Sequence, residues 1–401
     1  MTQSATLPSS QAPRALYLSP LDLRANNGML QRQLQILKAL EQAYSNRLDV
    51  LSLSSSPEET QRWLQNTGFK ARALGGVYPQ IARLNALAWY GGNVIACNKL
   101  KLIKHFTFPV TTPLPARLID RYQTIVCYYP WAFHLLGLHR GGGKVVVDLG
   151  DVMAERHERI GTRRWISLRP RDERAILHSR ARCIAISEGD QAEFQRLYGV
   201  SLPVATFLPV DHDRFAHLQT DDLPATVGYL AARGYQNEVV IQALASETFL
   251  NTLKTAGVGL VLAGGICASL AEADRARVEA HGGQVLGRVP ALEDFYEKVG
   301  WVINPVGPST GVKIKSVEAL LAGRGLVTTE FGVDAGLQAL FETQIVLTGW
   351  PLELQELADT VVRSVRQRPT GDLPFSQAST SHPARQYVEA VQAAITRHFS
   401  C

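Results

Sequence analysis

Apolar and polar positions along the chain follow two periods that exchange repeatedly. Short apolar runs at Ala15–Ser19, Leu48–Leu53, Thr124–Tyr128, Lys144–Asp148 and Cys183–Ser187 read as strands. Between them, Met29–Gln42 places Leu30, Leu34, Leu37 and Leu40 at helical spacing, and Asp190–Tyr198 also reads as a helix. The pattern restarts after residue 203. Strands are predicted at Ala225–Leu230, Gly259–Ala263, Gln284–Leu286, Trp301–Asn304, Gly325–Thr329 and Ile345–Leu347. The helices of this half are predicted over Asn237–Leu250, Leu270–Ala280, Leu292–Val299 and Lys313–Ala322. A last amphipathic helix runs from about Pro383 to Phe399, with Tyr387, Val391, Ala394 and Ile395 on its stripe. Strands alternating with helices imply parallel sheets covered on both faces.

A chain of 401 residues is too long for one compact core and fits two domains. The expected fold class is α/β, with two doubly wound, Rossmann-like domains over residues 15–203 and 204–380, joined by Ser201–Asp211. Residues 1–14, polar and rich in Pro and Ser, read as a disordered tail without the apolar core of a secretion signal. Residues 381–401 read as a helix packing back towards the first domain. Two facing domains of this kind place the carboxyl ends of their strands at a shared cleft, where such sheets bind ligands. That inference names no chemistry.

Composition adds exclusions. No apolar run reaches the 18 residues of a membrane span. Five scattered cysteines without a C-x-x-C pair argue against a disulfide framework or a zinc site and for a reducing, cytoplasmic compartment. The net charge of +5 is unevenly spread. Residues 60–119 hold eight Lys/Arg and no Asp or Glu, and residues 156–182 hold nine Arg against three acids. Nucleic acid, anionic lipid or an anionic substrate would each suit such a face. The aromatics Trp63, Tyr78, Trp89, Tyr90, Phe106 and Phe108 beside Lys99, Lys101 and Lys104 suit peripheral docking on an anionic inner leaflet, against a plain solvated surface over core aromatics. No nucleic-acid recognition fold accompanies the charge.

The chemistry-bearing stretch is Asn304 to Thr329. A strand ends at Asn304, a Gly/Pro/Ser loop crosses the strand tips, and a helix is expected to start near Gly311–Val312. Its free N–H groups form an anion site, to which Lys313 and Lys315 add charge suited to a diphosphate. Glu318, one to two turns further on, can accept hydrogen bonds from the vicinal hydroxyls of a ribose. An ordinary βα unit with a capped helix and solvated lysines accounts for the same residues. On the first half, Asp148 and Asp151 at a strand end could orient an acceptor hydroxyl or merely cap a helix.

The run resembles the donor-binding signature of retaining glycosyltransferases of family 4 in the GT-B superfamily, in the branch written G-[VI]-K-x-K-x-x-E-A-x-x-A-G-x-x-[VL]-V-x-T. The matching residues are Gly311, Val312, Lys313, Lys315, Glu318, Ala319, Ala322, Gly323, Val327 and Thr329. Val227–Leu230 with Tyr235 and Asn237, Leu262–Gly265, and Val285–Tyr296 resemble further elements of that donor domain in the same order. The resemblance covers about residues 120–345 well and the first 120 weakly.

It implies a GT-B fold and transfer of a hexose from a nucleotide-diphosphate sugar to a glycan, lipid-linked or small-molecule hydroxyl, with retention and without a metal or cofactor. By the resemblance, Glu318 would bind the ribose, and Gly311, Val312, Lys313 and Lys315 the diphosphate. Arg288 and Val289 would lie by the base, and Gly28 and Gly228 under the donor. Arg233 is the nearest candidate for the family's diphosphate clamp, and Asp148 or Asp151 would face the acceptor. Thr310 stands where many members carry a sugar-facing Glu, eight positions before Glu318. A non-catalytic GT-B partner, or a nucleotide-sugar epimerase, is the alternative.

Overall fold

A computed structural model describes residues 14–20, 28–107, 111–159, 167–209, 212–215, 217–218, 223–309, 311–367 and 383–399. The expected tail over residues 1–13, the Asn26–Asn27 loop, Phe108, Thr310 and the connector residue Asp211 lie outside them.

The chain divides into two compact units, Met1–Thr206 with Ala393–Cys401, and Phe207–Gln392. The first unit carries a six-stranded sheet of β1 (Ala15–Ser19), β2 (Leu48–Ser52), β3 (Arg72–Ala73), β4 (Thr124–Tyr128), β5 (Val145–Asp148) and β6 (Arg182–Ile184). Its spatial order is β3-β2-β1-β4-β5-β6, and its paired strands run parallel. The second unit repeats this order with β7 (Thr226–Leu230), β8 (Gly259–Ala263), β9 (Gln284–Gly287), β10 (Trp301–Asn304), β11 (Gly325–Thr328) and β12 (Ile345–Leu347). There the order is β12-β11-β10-β7-β8-β9, again parallel. Both are the doubly wound order in which the chain reverses direction of winding between the first and fourth strands of a sheet. The strands β1, β2, β4, β5, β10 and β11 are buried at every residue, as parallel strands covered by helices must be, and β7 and β8 open only at their ends, whereas the edge strands β3, β9 and β12 are partly open.

Capping residues set several boundaries. Ser56 and Glu59 form a reciprocal capping box that opens the Pro57–Asn66 helix, and Ser187 caps Glu188–Tyr198, which Gly199 ends in the left-handed conformation. The single helix expected over Asn237–Leu250 is two, Tyr235–Leu244 and Glu247–Thr255, because the Ser246 hydroxyl accepts from the Phe249 N–H and starts a new helix. Beyond β6, the Ala185 N–H donates to the Pro203 carbonyl and the Ala205 N–H to the Ala185 carbonyl, so the chain leaves the first unit pinned to it. The Pro383–Phe399 helix has its bounds where the periodicity puts them, and its residues from Ala393 onwards belong to the first unit. There the Arg32 guanidinium lies 5.6 Å over the Phe399 ring.

Two of the aromatics of residues 60–119 depart from the docking expectation, while Tyr90 is 48% exposed. Trp89 and Phe106 are buried, in edge-to-face contact at 4.7 Å, and Phe106 stacks on Trp131. They are core residues and not interfacial ones. The basic stretch over residues 156–182 is partly neutralised from within, Arg156 by Asp151 and Arg169 by Asp172.

Candidate functional site

In the second unit the loops at the carboxyl ends of β7, β8 and β9 are knitted together. The Ala231 N–H donates to the Ala263 carbonyl, the Ile266 N–H to the Ala231 carbonyl, and the Gly264 N–H to the Gly287 carbonyl at 2.6 Å. Gly264 holds φ +95°, and a Cβ there would collide with the Ala231 carbonyl, so this close approach needs glycine. At neighbouring Gly265, an added Cβ would lie 3.7 Å from the Arg233 nitrogen and 4.0 Å from the Arg288 Nε. Arg288 and the Arg233 backbone therefore both border Gly265. The Arg233 side chain is largely exposed and 3.6 Å from Glu238.

Opposite this, the loop after β10 is fixed at both ends. Asn304 Nδ2 donates to the Ser316 Oγ at 2.9 Å, and the Thr329 hydroxyl donates to the Val306 carbonyl. The Trp350 ring packs on Gly307, where a Cβ would come within 2.6 Å of it. Gly311 turns the chain at φ +80°, and Lys313 Nζ donates to its carbonyl at 2.7 Å. The helix itself is Ile314–Leu321, with Lys313 as N-cap and no side-chain cap. Gly311 and Val312 thus stand in the loop before the helix and not in its first turn, because the positive φ of Gly311 is not helical.

Lys315, in that first turn, is the centre of a half-buried network. Its Nζ donates to Asn237 Oδ1 at 3.1 Å and lies 4.9 Å over the Tyr229 ring. The Tyr229 hydroxyl donates to the same Asn237 oxygen at 3.0 Å, and Asn237 Nδ2 donates to the Ala232 carbonyl at 2.9 Å. One amide thereby ties β7, the loop after it and the Ile314–Leu321 helix together across the β7/β10 switch point. Burial pulls the Lys315 ammonium down to about 8; Glu318, one turn on, opposes that shift and Lys313 adds to it. Glu318 is half-buried, and its charge helps push the buried Tyr296 phenol up after the larger effect of burial.

Gly228 has a different role from the one expected. It lies in the middle of β7, where a Cβ would sit 2.5 Å from the Phe295 ring and 2.6 Å from Val299, so its missing side chain serves helix packing. Gly28 is the first residue of the Gly28–Tyr44 helix.

In the first unit the two candidate carboxylates part company. Asp148, at the end of β5, is fully buried. Its Oδ2 accepts from Arg32 Nε at 2.7 Å and its Oδ1 from the Gly150 N–H at 3.3 Å. Arg32 is itself buried and donates further to Gln35 and to the carbonyls of Ala205 and Thr206. Asp148 is therefore an internal ion-pair residue and cannot reach an acceptor. Asp151 keeps some exposure, with Arg156 Nη1 at 2.9 Å and the Tyr129 hydroxyl at 3.5 Å. Tyr129 has φ +68°, uncommon for a tyrosine, and its ring lies where a Cβ on Gly150 would be, 2.7 Å away. The segment after Asp151 is fixed by Glu173, a buried carboxylate that accepts from the Met153 and Ala154 N–H groups and the Tyr198 hydroxyl. Arg32 and Glu173 carry no local motif; each lies on a helix and finds its partner far along the chain.

No family model and no curated protein matches the sequence. Solved structures match the fold along nearly the whole chain. HepE from Anabaena, solved with UDP and glucose, is 15% identical, covering 97% of this chain and 96% of its own, with a TM-score of 0.52. WaaG, a glycosyltransferase involved in lipopolysaccharide biosynthesis, is 13% identical over 96% of this chain and 98% of its own, with a TM-score of 0.53. A glycosyltransferase from Rickettsia africae is 11% identical over 97% of this chain and 94% of its own, with a TM-score of 0.58. The chain has the GT-B fold.

Within this GT-B fold, the second unit brings Lys313, Lys315 and Glu318 onto one short segment, and places Arg288 and the Arg233 backbone around Gly265. Val289 is half-buried next to Arg288. Asn237 and Tyr229, which hold Lys315 in place, matched the resemblance or fell in a predicted strand but carried no assigned role.

Proposed function

We propose that the protein is a nucleotide-sugar-dependent glycosyltransferase whose second unit binds the donor. The observation that carries the proposal is the Lys315 ammonium, held by Asn237 and Tyr229 at the start of a helix and at the switch point of a doubly wound sheet. A cation and free helix-end amides in that place suit the diphosphate of a nucleotide sugar and, in reaction, the charge developing on the departing diphosphate. Glu318 would take the ribose hydroxyls, Lys313 and Gly311 would shape the phosphate loop, and Arg288 and Val289 would border the base. The GT-B fold shared with HepE, whose solved complexes include UDP and UDP-glucose, supports a uridine nucleotide as the first donor to try. A hexose, retention at the anomeric carbon, and a glycan or lipid-linked acceptor follow from the resemblance alone. On the acceptor side we assign Asp151, backed by Arg156 and Tyr129, as the carboxylate that orients the incoming hydroxyl.

The test is calorimetric titration with UDP, GDP and ADP and their glucose conjugates, followed by product analysis with the donor that binds. Tight binding of one nucleotide, and its loss in Lys315→Met, is the expected result. Binding of none would remove the transferase reading. Binding without turnover on any offered hydroxyl would favour a non-catalytic member of the fold.

A further inference from the structure

The Val77–Val94 helix of the first unit is apolar on both sides. Its inner side, with Pro79, Ala82, Ala86, Trp89 and Asn93, is buried in the normal way. Its outer side carries Val77, Ile81, Leu84, Leu87 and, immediately past its end, Ile95, which are 73%, 53%, 62%, 42% and 48% exposed. Val77, Ile81, Leu84, Ala88, Gly91 and Ile95 are spaced by four and three residues in alternation, so they fall on one line along the helix. The stripe continues into exposed Leu100 and Leu102, and these alternate with exposed Lys99 and Lys101. A contiguous apolar face of this length is not the usual surface of a soluble monomer.

The charges around it decide what covers it. No Asp or Glu occurs from residue 60 to residue 119. The acids that approach the end of this segment, Glu155 and Glu158, lie against His105 and Lys104, and exposed Lys99 and Lys101 flank Leu100 and Leu102. A bilayer with anionic headgroups meets both halves of the pattern, aliphatic side chains entering the acyl boundary while Lys99 and Lys101 face phosphate. We infer that the outer face of the Val77–Val94 helix, with the Ile95–Leu102 segment, docks the protein on an anionic membrane surface. The contacting residues differ from the aromatics that the sequence suggested: aliphatic positions form the face, and Trp89 and Phe106 lie beneath it. The inference stands independently of the donor site.

The experiment is co-sedimentation of the full chain with vesicles of phosphatidylcholine alone and of phosphatidylcholine mixed with phosphatidylglycerol. Because the substituted positions are exposed, Ile81→Glu and Leu84→Glu should keep the wild-type melting temperature and the wild-type UDP affinity. They are expected to lose at least tenfold in binding to the phosphatidylglycerol vesicles. Lys99→Gln and Lys101→Gln should each lose about fivefold, and added salt should weaken the wild type in the same way. Wild-type chain that ignores both vesicle types, or variants that bind as tightly as the wild type, would overturn the proposal. A wild-type dimer that Leu84→Glu converts to monomer would overturn it too, by making a second copy the occupant.

Discussion

The Lys315 ammonium is the group on which the proposed donor site turns, and its surroundings give it a measurable signature. Burial brings its pKa down to about 8 from an ordinary 10.5. Below pH 8 it is charged and able to meet a diphosphate; above that it loses its proton and the attraction with it. UDP affinity should therefore fall as pH rises through about 8, and Lys315→Met should bind weakly with little dependence over the same range. The same shift has a stability consequence of opposite sense. In the folded chain the charged form carries a burial penalty that the unfolded chain does not, so the wild type should gain stability relative to Lys315→Met as pH rises from about 8 to 10.5. Denaturant melts at several pH values would read this difference. The two acceptor-side carboxylates separate just as sharply. Asp148→Asn leaves Arg32 buried without its counter-charge and should destabilise by about 3–5 kcal/mol. Asp151→Asn sits in a more open pair with Arg156 and should leave the melt nearly unchanged while lowering transfer. From the sequence, Asp148 and Asp151 were indistinguishable, because Arg32 is 116 residues away from Asp148 and no local pattern announces the pair.

The elements that carry the proposed donor site were legible where their period and their punctuation agreed. The strands β7, β8 and β10, and the Gly-rich stretch before Lys315, could be read directly, since a parallel strand is a short apolar run and a loop at its tip is rich in Gly, Pro and Ser. What the period could not give was where a helix starts within a turn or why a glycine is there. The Ile314–Leu321 helix begins after the positive-φ Gly311, later than its neighbours in the motif suggest. Gly228 looked like a ligand-facing glycine and is a packing glycine under Phe295 and Val299. Gly228→Ala should thus cost about 1–3 kcal/mol by overpacking and leave the intrinsic UDP affinity of the folded protein within twofold of the wild type. The Val77–Val94 helix escaped sequence reading for the converse reason: with apolar residues on both sides, it has little amphipathic contrast to detect.

Taken whole, the chain is one topology used twice, two parallel six-stranded sheets of identical order, each with its own hydrophobic core. That duplication was readable as an α/β pattern that stops near residue 203 and starts again, and the order of strands follows the winding rules for such sheets. The network of Tyr229, Asn237, Lys315 and Glu318 lies entirely in the second unit, so on the proposed reading donor binding should be recorded there. Hydrogen exchange of the full chain with and without saturating UDP tests this most directly. Slower exchange in peptides covering residues 229–237, 264–266 and 311–318, absent in Lys315→Met at the same UDP concentration, is the predicted result. Saturation with UDP that leaves those peptides unchanged, or that protects them equally in Lys315→Met, would contradict the placement of the donor site.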